Sequence, residues 1–375
     1  MKNKLNITLL TRMKLWQKFL LLGIVALPAA GIPAYLFLSQ TTAAIQTAKL
    51  EASGIAPATK LLKLIQSTQQ HRGLSAALIG GNISVAATRA AKEAEVTQAI
   101  SAFDPLLKEI NNAKQIDTWN KIKSNWTRIS AETTNQHTDT RKSFADHSAL
   151  VATELALLDL LADHYQLSFE SDPGTYFLVQ AALTDLPQVS ESLGQTRAFG
   201  AARLAEAERL ALAQSTGTEL DKEAIAATDR ATTATLISAL ITKTNQAMTQ
   251  LRKAQAVEPR IRGQIAGKDK IAEDQIKRLA NLADTEIVNA PQIKLSSAEY
   301  VKQFTGGIND QFKLIDTATA ALNTELQLKV DSLLNRSFIL SGVVIAFIIF
   351  ASLIALLITR NITTTVRLLQ LSVDK

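Results

Sequence analysis

The chain has no cysteine among its 375 residues, so neither a disulfide nor a thiolate metal site can form in it. That absence suits an oxidising compartment in which no disulfide is needed. Proline (8) and glycine (15) are also scarce, and breakers that few permit long uninterrupted helices. Aromatic residues make up only 5%, and no stretch alternates Val, Ile and aromatics with polar residues as a half-buried strand would. The four histidines, His71, His137, His147 and His164, have no acidic or cysteine partners at metal-ligand spacing, and no glycine-rich loop follows a strand. No residue is therefore assigned to catalysis, to a metal or to a cofactor, and the chain is expected not to be an enzyme.

Acidic residues are missing from the first 38 positions, where Lys2, Lys4, Arg12, Lys14 and Lys18 stand. Charge of either sign is missing from two apolar runs, Phe19 to Leu38 and Phe338 to Ile358. Each run is long enough to cross the ~30 Å hydrocarbon layer as a helix. Arg360 and Arg367 follow the second run, so the positive-inside bias predicts both termini in the cytoplasm and a two-pass protein of the inner membrane. The organisation expected is a basic cytoplasmic N-terminus over 1–18, a first transmembrane helix over 19–38, an extracytoplasmic domain over 39–336, a second transmembrane helix over 337–359, and the start of a cytoplasmic linker over 360–375. Small residues at Ala29, Ala30 and Gly31 give the first run some features of a secretory signal, but its apolar core continues through Tyr35 to Leu38, where a cleaved signal turns polar. The first run is read as a retained anchor.

The overall charge of +6 arises at the two ends: residues 1–38 carry +5 and residues 360–375 carry +2, which leaves −1 for everything between. A near-neutral exported domain has no electrostatic footprint for nucleic acid. Alanine, leucine, glutamine, lysine and glutamate dominate that domain, and the turn-forming residues cluster at Gly80-Gly81-Asn82, Asn111-Asn112, Ser171 to Gly174, Thr216-Gly217, Gly263 to Gly267 and Ala290-Pro291. The fold class is therefore all-α, with two transmembrane helices flanking a domain of long helices, most simply two four-helix-bundle modules. The clearest periodicity comes last, where Ser296 or Ser297 can cap a helix and Val301, Phe304, Ile308, Ile315 and Leu322 recur on one face. A single rod from about 297 to 358 follows, with Gly306-Gly307 as its weak point at roughly 1 kcal/mol per glycine.

Two stretches share one pattern. Gln70-His71-Arg72-Gly73-Leu74-Ser75-Ala76-Ala77 aligns without gaps to Gln195-Thr196-Arg197-Ala198-Phe199-Gly200-Ala201-Ala202. Arg72 falls on the apolar stripe of Leu61, Ile65, Ala76 and Ile79, and Arg197 on that of Val189, Leu193, Ala201 and Leu204. A guanidinium buried there costs several kcal/mol unless it holds an anion. Two anions are open. One is an internal carboxylate, from Asp159, Asp163, Glu191, Glu206 or Glu208. The other is a small anionic ligand gripped by the guanidinium forks in a pocket lined by the small residues Gly73 and Ser75.

Gln69-Gln70-His71-Arg72-Gly73-Leu74-Ser75-Ala76, then Asp172-Pro173-Gly174-Thr175-Tyr176-Phe177-Leu178, Leu186-Pro187 and Gly194-Gln195-Thr196-Arg197, and finally Ser297-Ala298-Glu299-Tyr300 together resemble the helical input domain of bacterial methyl-accepting chemotaxis proteins. The arrangement is also similar to the nitrate- and nitrite-sensing helical domains, in which two arginines hold the anion. Carried over, that resemblance assigns ligand binding to Arg72 first and Arg197 second, with Ala198 standing where the family has glycine. Arg360-Asn361-Ile362-Thr363-Thr364-Thr365-Val366 looks like the opening of a HAMP linker, with Thr365 in the place of the usual proline. The resemblance implies a homodimeric chemoreceptor whose sensor takes a small extracytoplasmic ligand, and whose cytoplasmic signalling partners act through a C-terminal part beyond Lys375. The runner-up within signalling is the same input domain on a sensor histidine kinase or a diguanylate cyclase, and a membrane-anchored helical scaffold without a ligand is the alternative from another class.

Overall fold

The computed structural model describes residues 15–135, 137–215, 226–290 and 294–373, and among these every regular element is helical. The basic positions up to Lys14, the expected turn at Thr216-Gly217, Pro291, and the final Asp374 and Lys375 lie outside the described residues. Helix α1 (Leu15–Ser53) is followed by α2 (Ile55–Ile79), α3 (Ala86–Ile110), α4 (Ala113–Thr134) and α5 (Thr140–His164). Helix α6 (Pro173–Val179) passes through a π segment (Gln180–Asp185) into α7 (Leu186–Ser215). Then come α8 (Ala227–Val257), α9 (Pro259–Ile265), α10 (Lys268–Ala283) with a second π segment (Asp284–Val288), and the long α11 (Ser297–Val373). The chain divides into two compact units, residues 50–327 and, separately, 1–49 with 328–375.

The unit built from the chain ends holds two helical segments long and apolar enough to cross a membrane. Ile345, Phe347, Ile348, Ile349 and Phe350 on α11 are all exposed, and so are Ile24, Val25, Ile32, Tyr35 and Leu36 on α1. Consecutive exposed apolar residues leave no polar stripe, which is the surface of a helix made for lipid rather than for water.

Residues 50–327 form two four-helix bundles. In the first, α2 packs on α3 and α5, and α4 completes the square against the same two helices. Leu61 and Ile65 of α2, Phe103 of α3, Trp119 and Ile122 of α4 and Leu157 of α5 are buried in it, each contributing roughly 1.5–3 kcal/mol. In the second, α8 packs on α6, α7 and α10. Helix α11 closes this bundle through Tyr300, whose hydroxyl donates to Thr196 O at 3.1 Å, through Gln311, whose amide donates to Leu186 O at 3.2 Å, and through Leu279 of α10 lying over Gly307. The bundles meet where α7 crosses α2 and α5.

Local chemistry sets the ends of these helices. Asn111 takes a left-handed φ of 50° to close α3, and Asn112 caps α4 by accepting from Lys114 N and Gln115 N. Asp172 caps α6 with Pro173 in its first turn, and Ser296 caps α11 by accepting from Glu299 N at 3.2 Å. Of the expected turns, Gly263 instead lies inside α9, while Gly267, at φ 88°, makes the break before α10. The π segment before α7 has a cause in Pro187. Lacking an N–H, it cannot bond back to Leu183, and the turn widens so that Leu186 N reaches Ala181 O.

Candidate functional site

At the junction of α2, α5 and α7 the interior is polar. Thr68, Gln69, His71, Arg72 and Ser75 are buried on α2, His147 and Glu154 on α5, and Ser190, Glu191, Thr196 and Arg197 on α7. The four site residues read from the sequence separate here into different roles.

Arg72, 1% exposed, is paired. Its Nη1 donates to Glu191 Oε1 at 2.6 Å and its Nη2 to Oε2 at 3.1 Å, a bidentate fork, while Nη1 also donates to Ser148 Oγ at 2.9 Å. The same carboxylate receives Gln69 Nε2 at 3.0 Å and Gln195 Nε2 at 2.9 Å. Glu191 was one of five carboxylates the sequence offered for this task.

Arg197 is different. It is 7% exposed, and no carboxylate of the described residues makes an ion pair with it. Its Nη1 donates to Thr305 Oγ1 at 3.1 Å and its Nη2 to Gln69 O at 3.5 Å, both neutral acceptors. Burial, then the neighbouring positive charge of Arg72, bring its pKa down to about 10, with Glu191 opposing. The two guanidinium groups cross. A Cβ on Gly73 would collide with Arg197 Nη2, and a Cβ on Gly194 would collide with Arg72 Nη2. Gly73 thus admits the arginine of the facing helix to the backbone of α2. Ser75 is apart from the pair, its Oγ 3.4 Å from His71 Nδ1.

Behind Arg72 runs a histidine relay with one consistent tautomer set. Arg89 Nη1, 3.2 Å from His71 Nε2, can only donate, so that nitrogen accepts and Nδ1 carries the proton. His71 Nδ1 then donates to His147 Nε2 at 2.9 Å, and His147 Nδ1 donates to Ser143 O at 2.7 Å. Burial above all lowers His71 to about 2, with the charges facing it adding to the effect, and lowers His147 to about 4, so both are neutral. Glu154 accepts from Thr68 Oγ1 at 2.8 Å, and burial raises it to about 8, helped by the charge of Glu191. The Thr68 hydrogen bond and the charge of Arg72 oppose that rise, and burial still favours the protonated acid. The junction therefore carries two guanidinium charges against one carboxylate, an excess of one positive charge in a water-poor interior.

Glu154, His147, Ser148 and Thr305 were not singled out as site residues from the sequence. Glu154 had the same signal as the arginines, since it stands at helical spacing among Leu150, Val151, Leu157, Leu158 and Leu161. Thr305 and Ser148, hydroxyls among many, had none.

No family model matches the chain, and no curated protein matches it. Among solved structures it is similar to the NasR transcription antiterminator, with a TM-score of 0.53 and 16% identity over 82% of this chain and 77% of that one. At that identity the likeness is one of fold.

Proposed function

We propose that the chain is the input region of a two-pass transmembrane chemoreceptor, which senses a small anion on the extracytoplasmic side and passes the signal along α11 toward a cytoplasmic linker. The observation that carries this is Arg197: a buried guanidinium with no carboxylate among the described residues to hold, beside a second guanidinium, is an electrostatic deficit that an anion would relieve. Its contact with Thr305 gives the route. Thr305 lies on α11, which continues as helix through the exposed apolar segment to Val373. An anion that draws Arg197 away from Thr305 changes what holds α11, and helix shifts of about 1–2 Å are enough to bias a two-state linker. On this reading both ends are cytoplasmic, which the basic residues before the first apolar run and after the second support. A homodimer is the natural form, because a HAMP-like linker feeds a parallel bundle made by two copies.

One observation favours the scaffold reading: the Arg72–Glu191 fork is complete without a ligand. The two readings separate in a thermal-shift series on the full chain in detergent. With sodium nitrate, nitrite and formate titrated at constant ionic strength, a sensor rises in Tm for at least one of them as RT ln(1 + [L]/Kd) requires. A scaffold shows the same Tm throughout.

A further inference from the structure

Glu191 holds Arg72 by both oxygens, and those oxygens also take the side-chain amides of Gln69 and Gln195. Four N–H donors converging on one carboxylate from two helices is the donor set of an oxyanion site, and the chain fills it with its own side chain. Glu191 is buried, as are Gln69 and Arg72, so water does not screen this charge from its neighbours. Its charge cancels one of the two guanidinium charges and leaves the other, on Arg197, uncompensated. Among the described residues the other titratable groups at the junction leave this count in place: burial favours the uncharged forms of His71, His147 and Glu154, and Arg89 is paired with Glu93.

We infer that Glu191 is a tethered occupant of the anion site and sets its charge selectivity, admitting a singly charged anion beside Arg197 and rejecting a doubly charged one. This rests on the anion-sensing role proposed above. A monoanion closes the charge balance at zero. A dianion would leave a net negative charge buried against the Glu191 carboxylate, and like-charge juxtaposition of that kind is strongly unfavourable. Glu191→Gln keeps the size and shape of the side chain while removing its charge and one of its two acceptor oxygens, which leaves Arg72 as well as Arg197 without an anionic partner.

The test is calorimetric titration of sodium nitrate and of sodium sulfate into the full chain in detergent, at constant ionic strength, with Tm recorded for each variant. Wild type binds nitrate and not sulfate. Glu191→Gln binds nitrate about tenfold tighter and gains sulfate binding, as removal of a competing buried charge demands. Wild type that takes sulfate as readily as nitrate overturns the inference, and so does a folded Glu191→Gln that keeps wild-type selectivity or loses nitrate altogether. The last result would make Glu191 a positioning residue for Arg72. If Glu191→Gln does not fold, Glu191→Asp decides. Its carboxylate is one methylene shorter and releases part of the Arg72 fork, so nitrate binds several-fold tighter with sulfate still excluded, and an unchanged or weaker nitrate affinity counts against the inference. Binding of neither anion by wild type and by every variant removes the sensing role itself, whereas nitrate binding that ignores Glu191 removes only this step.

Discussion

Arg72 and Arg197 occupy equivalent places on two apolar stripes, yet their charges have opposite energetic standing. Arg72 is satisfied by Glu191, so Arg72→Met leaves a buried carboxylate unpaired and is expected to destabilise the unliganded chain by about 3–5 kcal/mol. Arg197→Met removes a buried cation that has no ion pair among the described residues, and the expected change in unliganded Tm is small or upward. Paired melts of the two variants check this, and equal losses would show that Arg197 has an internal anion after all. Glu154 makes a separate prediction. Its native pKa of about 8 lies above the ordinary 4.5, so the native state keeps a proton that the unfolded chain releases, and stability falls as pH rises through that window. His71 and His147, lowered from 6.5, act in the opposite sense only below pH 6.5. Between pH 6.5 and 8 the wild-type Tm should therefore decline, and Glu154→Gln should flatten that decline. A wild-type Tm that rises over this interval contradicts the assignment. Both arginines were legible in the sequence because charge on an apolar helical face is conspicuous. Which of them lacked a carboxylate was not, since Glu191 was one acidic residue among five until the crossing of α7 over α2 brought it to Arg72.

Among the helices, α11 shows how much a periodic sequence conveys and where it stops. Its cap at Ser296, its stripe of Phe304, Ile308, Ile315 and Leu322 and its continuity into the apolar run were all readable as period, cap and absence of proline. Gly306-Gly307 read as a weak point in the rod. The structure divides that pair. A Cβ at Gly306 would meet nothing within 4 Å outside its own helix, while one at Gly307 would run into the side chain of Leu279 from α10. Gly306→Ala should then stabilise by about 0.5–1 kcal/mol through helix propensity. Gly307→Ala should destabilise by roughly 1–3 kcal/mol, because the methyl displaces Leu279 from a packed contact. Chemical denaturation of both variants checks the sign of each, and a stabilised Gly307→Ala would remove the close crossing from the account. The π segment at Gln180–Asp185 was not foreseen. Pro187 was visible, but the wide turn it produces depends on packing that keeps α6 and α7 in one line instead of breaking them apart.

For the whole molecule, the all-α architecture and the two long apolar helices followed from composition and the scarcity of breakers, whereas the crossing that builds the junction lay in tertiary contacts no local pattern records. The arrangement of the chain across the membrane has its own test: a reporter fused after Lys375 should be cytoplasmic and one inserted at Gly217 should be exported, as the charge asymmetry of the two ends requires. A mature N-terminus near Ala30, found by mass spectrometry of the purified protein, would contradict the retained anchor. The central claim is that an anion seats at Arg197 and that this seat is what the molecule senses with. Its most direct measurement is the nitrate affinity of the full chain compared with Arg197→Met and Arg197→Lys in the same detergent. The account predicts saturable binding by wild type, a loss of about 2–5 kcal/mol in Arg197→Met with Tm retained, and partial rescue by lysine, which keeps the charge without the planar fork. Equal nitrate affinity in wild type and Arg197→Met would contradict it.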